Sequence, residues 1–519
     1  MKVLVLSLLR AGDLVLQRPL FKALKQQSPD GELHLLINDE VSWIAGVLHE
    51  VDHIHIFPRK VLQRLLGEGD QNIFRAHAEL SSFLENLNEH KFDQVLNFTH
   101  NRLSAFLAEE IEAGSKKGLY TEGPRFQGLE NKWLKLFNDR FSATGAFPFH
   151  YTEILAQSFN LKINPPSPPG NQKISRIFLQ ILTSDPKKNW GLSNFSNLLN
   201  ELYAEYPNLS LKVLASENER VRLNSHFEDV EICTWDLKQI DIELGPSDLL
   251  ITGDTVTMHI AAQKSARVIE IALGSSDPWK TGPYASDHYI ITSKVACYPC
   301  VHSKPCGQIS HLCAEPIAPR TITALIRRLM QKSRDVDFLL PLSERVQLYK
   351  SKMTPAGYNL ISNDLITDQR VLNKTIWQKI LSPETNVIHQ GKYDFGISDA
   401  EFLDGQSELK ENLYILQSDF ENLVKNLGLD QLSLFDVQEA RRRMASIQAS
   451  ALNQEWIWMF TDLAKLSFST PLHFLSAFQD RLEILKGAIF YREQIINPNK
   501  RGWHESGSGT ISESGLAET

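Results

Sequence analysis

Several things are missing from this 519-residue chain, and each absence removes a class of protein. No apolar run approaches the roughly 18 residues that a membrane span needs. Charge of the basic sign is not in excess: 54 Lys and Arg against 62 Asp and Glu leave a net charge of -8, the wrong balance for a general nucleic-acid binder, so no nucleic-acid partner is expected. Cysteine is scarce, at five residues. A secretory leader is not evident either. Val3–Leu6 is apolar, but Arg10, Asp13 and Arg18 interrupt any further run and no small-residue cleavage site follows, so the start reads as the first buried strand of a cytoplasmic protein. What remains is ordinary globular composition, 42% hydrophobic and 22% charged, at a length that suits two to four domains.

Apolar strands alternate with amphipathic helices in two successive series. In the first, strands are predicted over Lys2–Leu8, Glu32–Ile37, His53–Phe57 and Asp93–Phe98, with helices such as Arg18–Gln27 and Ala76–Leu87 between them. The second series runs through Arg176–Leu182, Ser210–Ala215, Glu231–Thr234, Asp248–Thr252, Arg267–Leu273 and Tyr289–Thr292. Such alternation predicts parallel sheets covered on both faces. Between the two series lies Pro165-Pro166-Ser167-Pro168-Pro169-Gly170, a stiff linker. The expected fold class is therefore α/β, two Rossmann-like domains over residues 1–164 and 171–332 facing a cleft. A mainly α-helical domain is expected over 336–503, where Ser407–Leu427, Asp436–Leu452 and Gln454–Leu466 carry helical periodicity, and a disordered Gly-, Ser- and Glu-rich tail over 504–519.

The stretch from Asp248 to Tyr284 concentrates the chemistry. The apolar run Leu249-Leu250-Ile251 gives way to Thr252-Gly253-Asp254-Thr255, with Asp and Thr where a helix needs its N-cap. A second strand, Val268 to Leu273, runs into Gly274-Ser275-Ser276. Helix N-termini at such a sheet edge offer unpaired N–H groups to anions, most often phosphates. In the first series, Arg10-Ala11-Gly12-Asp13 occupies the equivalent place; on residues alone, Asp13 is equally a helix cap or a carboxylate facing the cleft. Four of the five cysteines, Cys297, Cys300, Cys306 and Cys313, fall within one short segment and open with a C-x2-C spacing. That pattern signals a tetrahedral thiolate metal site, zinc by default or iron in a four-sulfur site, acting as a structural staple. Cys233, in an apolar run, reads as a small buried hydrophobe. Asn131 to Phe137 reads first as an ordinary helix packing Trp133 inward, with a membrane-surface role as the alternative.

Asp254-Thr255-x-x-Met258-His259-x-Ala261-Ala262, then Gly274-Ser275 and Thr281-Gly282-Pro283-Tyr284, resembles the donor-binding signature of the lipopolysaccharide heptosyltransferases. Gly12-Asp13-Leu14 followed by Arg18-Pro19-Leu20-Phe21-Lys22-Ala23-Leu24-Lys25, and Lys188-x-Trp190 after Thr183 and Ser184, are similar to that family too. Val256 and Leu273 stand where the family usually has Gly and Phe. The resemblance covers about residues 1–330. It implies the GT-B architecture, with an acceptor domain first and a nucleotide-sugar donor domain second. The implied reaction is inverting transfer of a heptose or similar sugar, ADP-heptose favoured, to a hydroxyl acceptor on a lipopolysaccharide, glycan or protein. Asp13 is then the implied general base. Lys188, Thr183, Ser184, Asp254, Thr255, Thr257, Met258, His259, Gly274 and Ser275 form the implied donor site, with no catalytic metal. Glu217 or Glu219 would lie near the nucleoside, and His100 and Asn101 near the acceptor. Peripheral contact with the inner membrane and homo-oligomerisation stay open. So do two other readings: a degenerate transferase kept as a nucleotide-sugar or partner-binding subunit, and a nucleotide-sugar epimerase.

Overall fold

The structure is a computed structural model. It describes residues 1–68, 72–141, 147–331, 342–362, 365–382, 399–428 and 471–496, and the single positions 438, 440, 442, 444 and 456. The chain divides into two compact units, Met1–Val371 and Leu372–Thr519.

The first unit holds two sheets. Strands β1 (Lys2–Leu6), β2 (Glu32–Asn38), β3 (His53–Phe57), β4 (Phe92–Asn97) and β5 (Ala113–Gly118) are all parallel and lie in the order β3-β2-β1-β4-β5. Val3 to Leu6 is buried on both faces, which is why this run of apolar residues takes the centre. A two-stranded ribbon, β6 (Tyr120–Glu122) and β7 (Arg125–Gln127), follows. The second sheet repeats the plan with β8 (Arg176–Gln180), β9 (Ser210–Leu214), β10 (Glu231–Cys233), β11 (Asp248–Thr252), β12 (Arg267–Ile271) and β13 (Tyr289–Ser293), ordered β10-β9-β8-β11-β12-β13 and parallel throughout. Both sheets reverse their strand order once, between β1 and β4 and between β8 and β11, and ligands of open α/β sheets bind beyond the strand ends at such points. The two Rossmann-like domains and their GT-B arrangement agree with the sequence pattern.

One boundary differs. Residues after 336 are expected to be helical, yet β14 (Val346–Thr354) and β15 (Gly357–Ile361) form an antiparallel hairpin that extends the second sheet beyond β13. The tight turn is made by Gly357 at φ +93°, and Tyr358 and Leu360 are buried. Its tip is fixed from the first half, where the Glu153 carboxylate accepts the Tyr358 N–H.

Elsewhere in this unit, the helix Lys132–Arg140 turns Trp133, Leu134, Leu136 and Phe137 inward, as its ordinary reading predicts. Cys233 is buried. In the second unit the expected helix over Ser407–Leu427 lies inside the helix Asp399–Gly428, and a further helix spans Pro471–Ile496. They bury Leu409, Leu416, Phe478 and Leu485, with Phe420 edge-on to Phe478 at 5.5 Å between centroids. The expectations for 436–452 and 454–466 fall outside the described residues apart from single positions, as does the tail 504–519. Among the described residues no helix is long and apolar enough to cross a membrane.

Candidate active site

After β1 the chain leaves the sheet where the strand order reverses. The Leu8 N–H donates to Thr99 Oγ1 at 2.8 Å, which ties this loop to the one that follows β4. The helix Ala11–Leu16 starts at once, and Asp13 is its third residue. Its Oδ2 accepts the Arg10 N–H at 3.2 Å, so the carboxylate closes the helix start without being the cap residue itself. Asp13 is only partly accessible, and burial pushes its pKa up to about 6; the bond from Arg10 opposes this, the charge of Asp254 adds to it, and those of Arg10 and Lys188 oppose it. Asp254 and Lys188 belong to the second half of the unit. The two halves meet here: a side chain on Gly12 would lie 3.5 Å from the His259 ring, and Gln263 Nε2 donates to Val15 O at 2.6 Å.

The facing loops descend from β8 and β11. Thr183 folds the first of them, donating its N–H to Asn189 Oδ1 at 2.8 Å and its Oγ1–H to Asp185 O at 2.7 Å. Ser184 is exposed beside it. The single turn Pro186–Lys188 then aims Lys188, whose Nζ lies 2.6 Å from Asp254 Oδ2. Trp190 is an anchor rather than a ligand, since its Nε1 donates to Ile317 O at 2.9 Å from within the core. On the other loop Thr255 caps the helix Val256–Gln263, accepting the Met258 N–H at 3.3 Å and donating to Gln180 Oε1 at 3.0 Å. Thr257, Met258 and His259 point inward and are at most 3% exposed. His259 Nε2 stands 3.7 Å from Asp254 Oδ1. Burial holds the imidazole's pKa down near 4 against the pull of Asp254, so at neutral pH His259 supplies a neutral wall and no cation.

The third loop follows β12. Gly274 has φ +61°, and a Cβ there would sit 2.4 Å from Lys187 O, a position only glycine fills. Ser275 Oγ meets His302 Nδ1 at 3.2 Å. The cysteine-bearing segment closes over these loops: the Cys300 N–H donates to Gly274 O at 2.8 Å, Lys187 Nζ donates to the carbonyls of His302 and Lys304 at 2.9 and 2.6 Å, and His311 Nε2 lies 2.8 Å from Lys187 O. Among its cysteines Cys313 is buried and Cys306 exposed. No three of the four thiols stand within 4.8 Å of one another, the spacing that marks a ready metal group. The donor set itself suits a soft ion, since four thiols share one segment.

Sequence reasoning passed over Glu270. It sits on β12, fully buried, accepting Ser276 Oγ at 2.9 Å. Burial and then Asp254 raise its pKa to about 8. Its signal was available, a lone acid inside Arg267-Val268-Ile269-Glu270-Ile271. Arg10 was likewise passed over, although its charge acts on both Asp13 and His302. Glu219 is occupied in capping Ser216, with Oε2 2.8 Å from its N–H. The assembled centre thus sets a carboxyl with raised pKa from one half against an ammonium, two acids and a helix N-terminus from the other.

Residues 153–308 match the glycosyltransferase family 9 (heptosyltransferase) family model. A Haemophilus influenzae chain assigned as a glycosyltransferase is 22% identical over 292 residues, which is 50% of this chain and 79% of that one. Among solved structures, the glycosyl transferase family 9 protein of Veillonella parvula is 17% identical, covering 64% of this chain and 98% of its own at a TM-score of 0.45. The E. coli heptosyltransferase WaaC with ADP-2-deoxy-2-fluoro heptose is 16% identical, covering 63% and 99% at a TM-score of 0.46.

Proposed function

We propose that this chain, a glycosyltransferase of the heptosyltransferase-like family 9, moves a heptose or similar sugar from a nucleotide diphosphate, ADP-heptose first, to an acceptor hydroxyl with inversion. The observation that carries the reading is the approach of Gly12 to His259, which brings the Asp13 carboxyl alongside the Lys188–Asp254 pair. Asp13 removes the proton of the acceptor hydroxyl as that oxygen bonds to the anomeric carbon, while the bond from that carbon to the diphosphate breaks. General-base help of this kind is worth about 10²–10⁴ in rate. Negative charge gathers on the departing diphosphate. Lys188, the N–H groups of Val256 and Thr257 at the helix start, and Ser275 would receive it. Asp254 neutralises Lys188 at 2.6 Å; a bound diphosphate would take over that role.

Cys297, Cys300, Cys306 and Cys313 would hold a zinc or iron ion, with the segment drawing its sulfurs together. Such an ion supplies cross-linking and no step of the transfer. The setting we favour is cytoplasmic, with a lipid-linked glycan or a protein as acceptor. The test is calorimetry against ADP-heptose, then other ADP, UDP and GDP sugars, followed by assignment of the product anomer. Micromolar binding of one donor and an inverted product support the reading. Tight binding without turnover instead favours a donor-binding subunit, and a retained configuration removes the direct displacement.

A further inference from the structure

A second cluster lies at the other end of the first sheet, where β2 and β3 begin. Side chains alternate along a strand, so Glu32 and His34 share a face of β2, and His53 and His55 share that face of β3, with His34 directly opposite His53 in register. His90 reaches the same place from the turn before β4. The ring centroid of His34 lies 4.5 Å from that of His53 and 5.2 Å from those of His55 and His90, and His55 and His90 are 4.8 Å apart. Glu32 Oε2 is 3.2 Å from His34 Nε2 and 3.9 Å from His53 Nε2. One donor atom each from Glu32, His34 and His53 falls within 4.8 Å of the other two.

We propose that Glu32, His34 and His53 form a binding site for a divalent transition-metal ion of the zinc class. Two imidazoles and a carboxylate are the donors such ions prefer, and bonds of about 2.0–2.2 Å to each bring ligand atoms to nearly the separations already present. His34 is buried, and its other ring nitrogen, Nδ1, lies 2.9 Å from His55 Nε2. That bond orients the ring and leaves Nε2 towards Glu32, the arrangement that positions metal-bound histidines elsewhere. The charge beside Glu32 is Lys2, at 3.6 Å and well exposed, free to swing away. The site is separate from Asp13, which follows the opposite end of β1, and from the cysteine segment, which offers sulfur.

Cobalt(II) is the probe, because thiolate ligation adds a charge-transfer band that nitrogen and oxygen ligands do not. The full chain carrying Cys297→Ser, Cys300→Ser, Cys306→Ser and Cys313→Ser is stripped with chelator and titrated with Co²⁺. One ion per chain without a thiolate band is expected, weakened at least tenfold by His53→Ala and by Glu32→Gln, both at exposed positions. If the four-serine chain does not fold, the wild-type chain is titrated past its first ion and the second ion's spectrum is compared with and without His53→Ala. No thiolate-free binding, or binding indifferent to both substitutions, overturns the site and leaves a stack of imidazoles at a sheet margin.

Discussion

Asp13 has one job in the structure and a second in the proposed reaction, and one substitution separates them. Its Oδ2 accepts the Arg10 N–H, and an asparagine oxygen does the same, but only the carboxylate takes a proton. Asp13→Asn is therefore expected to fold and to bind donor as the wild type does, while transfer falls by about 10²–10⁴; transfer rates equal to wild type would remove Asp13 from the chemistry. With a pKa near 6, the base is ready above that value, so kcat/KM rises with pH through about 6. The sign for stability is opposite. A carboxyl whose folded pKa is raised contributes most when protonated, below its ordinary value, and that contribution is lost as pH climbs through 6. The acid limb of activity is thus not unfolding. Asp254→Asn removes a charge that raises Asp13 and releases Lys188, whose charge lowers it. Both effects move the acid limb down, and a limb that stays or moves up in the pH–rate profile contradicts the placement.

Three loops and the cysteine segment form one assembly, and Gly274 is its tightest joint. Gly274→Ala meets Lys187 O, a backbone atom, at positive φ, with a strain of about 1–3 kcal/mol. The expected outcome is a lower Tm and at least tenfold weaker donor binding, read by calorimetry. The loops' shape was partly legible. Apolar runs such as Leu249-Leu250-Ile251 announce buried parallel strands whatever surrounds them, and Thr255 announced the cap it makes. The inward turn of Met258 and His259 was not legible, because which face of a helix meets the other half depends on a contact, with Gly12, distant in sequence. The hairpin β14–β15 escaped notice because its Gln, Lys and Ser residues resemble the helical stretches after it. Cysteine spacing likewise names the donor atoms without fixing whether they converge.

At the scale of the unit, Arg18 from the first half reaches Asp241 of the second at 3.0 Å, with His49 on the other carboxylate oxygen at 3.1 Å. Burial alone would raise the Asp241 carboxyl; the His49 bond and the Arg18 charge more than offset it and hold it below its ordinary value. Its contribution to stability is present above that ordinary value and lost as pH falls through the lower one. Arg18→Ala strands a largely buried acid and is expected to remove about 1–3 kcal/mol, with Asp241→Asn in the same chain restoring part of it in thermal melts. The acids around Lys188 have a further consequence, in heat. On the proposed reading, a diphosphate arriving beside Asp13 and Glu270, whose pKa values already stand near 6 and 8, raises both again, so the protein takes protons from its buffer as the donor binds. The binding enthalpy measured in phosphate and in Tris then differs by the number of protons taken up multiplied by the difference between the two buffers' ionisation heats.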